Sequence, residues 1–171
     1  GVSAVFQLIG DPDIGNSNTV TQKDLDAWQN NGLVSCLGYR SDTPQLFSQS
    51  NIVTLPSYYG EGLPKTLIEA AACGRAVVTT DHPGCRDAIE ENQTGLLVPI
   101  KNAVALADAI EYLIRNPSVR NNLGAAGRKL AEKEFNIEKE LLLALMGIET
   151  NFGTYVGKMD ILSSLATLSF D

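Results

Sequence analysis

TLPSYYGEGLPKTLIEAAACG, residues 54–74, runs out of a β-rich segment, through a Gly- and Pro-bearing loop, into a helix start. Leu67, Ile68, Ala70, Ala71 and Ala72 make that helix apolar and Gly74 ends it, yet Glu69 stands in its middle and Glu61 lies just outside its first turn. A strand, a loop and a helix in this order form the first half of a βαβ unit.

The same alternation extends in both directions. Upstream, SAVFQLIGD (3–11) reads as a strand and DPDIGNSNTV (11–20) as a polar loop. TQKDLDAWQNNG (21–32) reads as a helix with Thr21 as N-cap, Asp24 in its first turn and Gly32 beyond its end. LVSCLGY (33–39) is a strand, DTPQLFSQS (42–50) a short helix with Pro44 at its start, and NIVTLPS (51–57) the next strand. Downstream, AVVTTD (76–81) and TGLLVP (94–99) are strands on either side of a short helix, CRDAIEEN (85–92). Helices follow in residues 102–117, 117–135 and 136–147. Strands separated by helices imply right-handed βαβ units, hence an α/β fold: a Rossmann-like, doubly wound parallel sheet with helices on both faces. Residues 1–143 are assigned to this Rossmann-like domain, its opening strand and helix missing, so the chain is expected to be a piece of a larger protein. Residues 144–171 form a C-terminal segment of uncertain structure, where Gly153 and Gly157 argue against a long helix.

The 171 residues are 44% hydrophobic and 19% charged, as expected of a globular protein with a real core. A net charge of −7 argues against a nucleic-acid partner, which would need a basic face. Cys36, Cys73 and Cys85 lack metal-ligand spacing and suit a reducing compartment. No stretch approaches a membrane span and no signal peptide opens the chain, so a cytoplasmic location is expected.

In open α/β sheets, ligands sit beyond the carboxyl ends of the strands, against helix N-termini. The helix start after residue 64 is such a place: its free N–H groups and dipole suit a phosphate. Pro64 lacks an N–H, leaving those of Gly62, Leu63, Lys65 and Thr66, with the Lys65 ammonium and Thr66 hydroxyl in support. A carboxylate beside a phosphate is repelled unless it faces hydrogen-bond donors, and sugar hydroxyls are such donors. Two glutamates flanking one phosphate cradle suit a nucleoside diphosphate sugar, with Glu69 on the ribose and Glu61 on the transferred sugar. A plainer reading stands beside this one: Glu61 complements the helix dipole, and Glu69 pairs with Lys65 one turn earlier.

EGLPKTLIEAAACGRAVVTTDHPGCRDAI (61–89) resembles the signature region of family 4 glycosyltransferases, retaining enzymes of the GT-B fold, whose glutamate, seven residues, glutamate pattern is matched by Glu61 and Glu69. LFSQSNIVTLPSYYGEG, NQTGLLVPIKNAVALADAI and NPSVRNNLGAAGRKLAEKEF resemble the flanking strands and helices of that family, so the likeness covers residues 4–143. The resemblance implies the C-terminal, donor-binding half of a GT-B enzyme that takes a nucleotide diphosphate sugar, UDP-linked, and needs no cofactor or metal. It carries the first glutamate, in contact with the transferred sugar, over to Glu61 as catalytic residue. The second, on the ribose, becomes Glu69, and the loop main chain becomes Gly62, Leu63, Lys65 and Thr66. Tyr39 and Arg40 are placed near the base. Beside the resemblance, Ser57 is read as a phosphate ligand or a loop cap, and Gly84 as lining the donor through its N–H or as a plain strand-to-helix turn. The solitary His82 is read as a loop residue, and Arg75 as a partner for helix C-terminal carbonyls.

The GYR and EGLPKTLIEAAACGR wording is similar to enzymes building bacterial surface glycans such as O-antigen or capsule. Expected partners are the donor, the N-terminal GT-B domain of the same protein and a glycan or lipid-linked acceptor. Peripheral association with the inner face of the membrane is expected through the missing half. These residues alone are not expected to catalyse. The alternatives are half of a UDP-sugar 2-epimerase, which shares the fold, and a nucleotide-sugar-binding module without catalysis.

Overall fold

The computed structural model describes residues 3–13, 19–60 and 62–134. The helix expected over 136–147 and the segment after it lie outside these residues. The chain divides into two compact units, Gly1–Thr43 and Pro44–Asp171.

In the first unit, β1 (Gln7–Leu8) and β2 (Ser35–Cys36) pair in parallel and are joined through helix α1 (Gln22–Asn30). Thr21 caps α1 as its sequence predicts: its hydroxyl accepts from the Asp24 N–H while the Asp24 carboxylate accepts from the Thr21 N–H, a reciprocal capping box. Both strands are much shorter than the apolar runs that contain them, because only paired residues form a ladder.

The second unit holds a parallel sheet, β3 (Ile52–Leu55), β4 (Ala76–Thr80) and β5 (Gly95–Val98), in that spatial order. α2 (Thr43–Gln49) precedes it, α3 (Lys65–Ala72) and α4 (Pro83–Asp87) make the crossovers, and α5 (Ala103–Arg115) and α6 (Pro117–Glu134) follow. β4 is central and buried along its whole length, which suits its unbroken Ala-Val-Val-Thr-Thr sequence. One face of the sheet, Ile52, Ala76, Val78, Leu96 and Val98, packs on Ala105, Leu106, Ala109, Ile110 and Leu113 of α5 and on Val119 and Leu123 of α6. The alternate residues Val53, Val77 and Thr79 turn to the other face and are buried there.

α4 begins at Pro83, two residues earlier than the sequence suggests, because His82 is extended and Pro83 suits a first helical position. It also stops early. Asn92 adopts a left-handed backbone (φ 61°), and Thr94 turns back to accept from the Glu90 N–H at 2.8 Å.

α6 closes the amino end of the sheet. Gly124 lies so near the turn between α3 and β4 that a Cβ there would stand 2.2 Å from the Gly74 carbonyl oxygen, and Gly127 packs against Ala71 and the Thr94 carbonyl. Gly74 ends α3 in a left-handed conformation (φ 68°) that glycine adopts without strain. Arg75 holds the same end: its guanidinium donates to the Cys73, Ser48 and Ser50 carbonyls at 2.8, 3.2 and 3.1 Å. With α6 packed at the amino end, the loops at the carboxyl end are those where an open α/β sheet takes its ligands.

Candidate donor site

At the carboxyl edge, residues 56–64 leave β3 and lead into α3. Buried threonines of β4 hold the start of this loop: the Thr79 hydroxyl donates to the Leu55 carbonyl at 2.7 Å, and the Thr80 hydroxyl donates to the Ser57 carbonyl. Ser57 is thus anchored through its main-chain carbonyl, which leaves its hydroxyl uncommitted by this contact.

Pro64 is the N-cap of α3, buried and extended (φ −70°, ψ 117°), and no side chain caps the helix. Lys65 and Thr66 are therefore its first two residues, with N–H groups that lack intrahelical acceptors by geometry. The first turn carries no acidic residue. Gly62 and Leu63 are exposed, and the space a Cβ would take at Gly62 is open to 4 Å. The helix start thus combines exposed Gly62, Leu63 and Lys65, first-turn N–H groups without intrahelical acceptors and a lysine at the first position, an arrangement an anion can use.

Glu69 projects one turn further in. Its side chain is 23% exposed, and Oε1 lies 3.8 Å from Lys65 Nζ, a loose ion pair beyond hydrogen-bond distance. Burial pushes the carboxyl above its ordinary value, and the Lys65 ammonium pulls against that. The plainer sequence reading, a Lys65–Glu69 pair, is thus part of the geometry. Yet the pair leaves a half-buried carboxylate short of strong donors.

Gly84 is the second residue of α4 and is buried. His82 is the N-cap of α4, its N–H donating to the Thr80 carbonyl at 2.8 Å. Tyr39 and Arg40 belong to the first unit, in the loop after β2. The Tyr39 N–H donates to Asp11 Oδ1 at 3.2 Å and its ring is 78% exposed. The Arg40 guanidinium is taken up by both carboxylate oxygens of Asp42. Glu61 lies outside the described residues. Among the described residues no cluster of three or more His, Cys, Asp and Glu is placed to hold a metal ion, and no helix is long and apolar enough to cross a membrane.

Sequence reasoning passed over a cluster at the same edge. Tyr58 and Tyr59 stack with ring centres 4.5 Å apart, and Lys101, from the loop after β5, stands over the Tyr58 ring at 4.7 Å. The adjacent tyrosines were the available signal.

A parallel α/β unit with an uncapped helix start at its carboxyl edge is a Rossmann-like class of fold, and comparison with known proteins narrows it. The family described as glycosyl transferases group 1 matches residues 3–130, and the chain belongs to that family. It is 43% identical over 94 residues to an N,N'-diacetylbacillosaminyl-diphospho-undecaprenol alpha-1,3-N-acetylgalactosaminyltransferase of Campylobacter jejuni, covering 55% of this chain and 25% of that protein. It is 30% identical over 136 residues to the capsular polysaccharide biosynthesis glycosyltransferase CapM of Staphylococcus aureus, covering 80% of this chain and 35% of that protein. The chain thus spans only about a quarter to a third of these relatives (25% and 35%). Among solved structures it resembles HepE of Anabaena in complex with UDP, with a TM-score of 0.70 at 24% identity over 87% of this chain and 41% of that one. That likeness establishes the Rossmann-like GT-B fold.

A second family, described as a transglycosylase SLT domain, matches residues 125–171. This match covers the C-terminal segment that sequence reading left unassigned. It starts within α6, where Gly127 and Ala131 are still buried against the Rossmann-like unit.

Proposed function

We propose that this chain supplies the donor-binding half of a retaining glycosyltransferase. The enzyme moves a hexose or N-acetylhexosamine from a UDP-linked donor to a glycan or lipid-linked acceptor in bacterial surface polysaccharide synthesis. The observation that carries the reading is the uncapped start of α3, with Lys65 at its first position and half-buried Glu69 one turn inside.

In this reading the diphosphate accepts hydrogen bonds from the N–H groups of Gly62, Leu63, Lys65 and Thr66, and Glu69 accepts from the ribose hydroxyls. Glu61 orients the transferred sugar. As the bond between anomeric carbon and diphosphate breaks, negative charge grows on the leaving oxygen. The helix start and Lys65 stabilise that charge without reorganising. The acceptor hydroxyl approaches from the upstream half, on the face the phosphate leaves, and no metal ion is required. The reading places the protein in the cytoplasm, with peripheral membrane association through that half. HepE holds UDP on the same fold, and the Campylobacter relative is named for transfer to a lipid diphosphate, which supports both the donor and the acceptor class.

Titration of the chain with UDP and UDP-sugars tests the reading. A micromolar UDP site abolished by Glu69→Ala is the expected result. Absence of any binding would favour an interaction module. Sugar-transfer assays on protein that includes the upstream half separate a transferase from an epimerase.

The match over residues 125–171 favours a second reading for the C-terminal segment alone: part of a domain that acts on existing glycosidic bonds. Incubating the chain with polymeric bacterial glycans, with deletion of residues 136–171 as control, tests it. Cleavage that survives the deletion would overturn it.

A further inference from the structure

Two loops rise from the carboxyl edge on either side of β4, residues 56–64 after β3 and residues 99–102 after β5. They meet above the end of β4, where Lys101 Nζ lies 4.7 Å from the centre of the Tyr58 ring. Tyr58 also stacks on Tyr59, with planes 28° apart and centres 4.5 Å apart. That spacing admits no ammonium between the rings, so the side chains layer in the order Lys101, Tyr58, Tyr59. The two tyrosine hydroxyls are 3.1 Å apart. One residue earlier, the Ser57 carbonyl is held by Thr80.

Lys101 has a left-handed backbone, φ 55°. Glycine or asparagine holds that conformation at lower cost, so it is the side chain, rather than the backbone, that accounts for a lysine here. A cation over an aromatic face is a specific attraction, and this one joins segments on opposite sides of the central strand.

We propose that Lys101 is a positioning residue: by gripping Tyr58 from across β4 it sets the course of the 56–64 loop, and through it the N–H groups of Gly62 and Leu63 at the entry to α3. The latch itself stands on these contacts, whereas its consequence for ligand binding rests on the donor-binding reading above.

Hydrogen exchange on the chain, paired with UDP titration, separates the two. Lys101→Asn tolerates the left-handed backbone and removes the ammonium together with the stem that carries it over the ring, and Lys101→Arg keeps a cation over the ring. A cation–π contact at an exposed site corresponds to a factor of about two to five in a local equilibrium. Amides of residues 58–66 are therefore expected to exchange about two- to five-fold faster in Lys101→Asn and at the original rate in Lys101→Arg, with β4 unchanged in both. UDP affinity should fall by a similar factor in the first and recover in the second. Unchanged exchange in Lys101→Asn overturns the latch, whatever the ligand does. A loosened loop with UDP affinity intact overturns the positioning role. A chain that binds no UDP at all overturns the donor-binding reading and the positioning role with it, while exchange still decides the latch.

Discussion

Replacing Glu69 by glutamine separates a ligand-binding carboxylate from a structural one, because the two readings predict opposite signs. Its folded-state carboxyl is raised by burial, with Lys65 only partly compensating. A carboxyl raised on folding binds more protons in the native state. Stability is therefore complete below the ordinary carboxylate range and falls as pH rises through that range towards the folded value. At neutral pH the ionised side chain is thus a net cost to the fold. Glutamine has the same shape and no charge. The pair it loses, Lys65 Nζ to Oε1 at 3.8 Å, is a loose i, i+4 contact with an exposed lysine, of the kind worth about 0.2–0.5 kcal/mol. Glu69→Gln is therefore expected to unfold at equal or higher urea concentration than the parent at neutral pH, the two converging in acid.

Binding should move the other way. A hydrogen bond to a charged group is worth about 1.5–3 kcal/mol, a factor of about ten to a hundred in Kd. Glutamine keeps one acceptor oxygen, so a loss of about ten-fold in UDP affinity is expected by calorimetry. Unchanged UDP affinity would remove Glu69 from the ligand site. A lower unfolding midpoint at neutral pH would show that the Lys65 pair outweighs burial and that the glutamate is there for the helix.

Gly124→Ala places a Cβ 2.2 Å from the Gly74 carbonyl oxygen and 3.0 Å from its carbon, so α6 must shift away from the turn between α3 and β4. A loss of about 1–3 kcal/mol in urea unfolding is expected, and an unchanged midpoint would refute the close approach. Arg75→Ala removes the donor shared by the Cys73, Ser48 and Ser50 carbonyls and should destabilise by about 2 kcal/mol or more. A loss under about 0.5 kcal/mol in the same assay would mean that water replaces the guanidinium without penalty.

Features settled by neighbouring residues were legible in the sequence. Thr21 and Asp24 lie within one turn of each other, and Gly74 directly follows the helix it ends, so capping rules sufficed. The buried strand β4 and the helix start after Pro64 were equally plain, because a run of β-branched residues and a missing N–H constrain the chain at once. The resemblance around Glu61 and Glu69 pointed to the family to which the chain belongs. The extent of β1 and β2 was not legible, since a ladder exists only where a partner strand lies opposite. Nor was it clear whether Glu69 had a partner on its own helix, because spacing permits the Lys65 pair without setting its distance or its burial. The exposed pairing of the Arg40 guanidinium with Asp42 two residues on was likewise not legible, since spacing does not set which acceptor an arginine takes. What only the tertiary structure decided are contacts between segments remote in the chain. Gly124 against Gly74 and Lys101 over Tyr58 depend on a parallel sheet that gathers its strand-to-helix loops at one edge and its helix-to-strand turns at the other, where α6 packs. Local propensity carries no information about which distant residue will be opposite. Sheet topology supplies it.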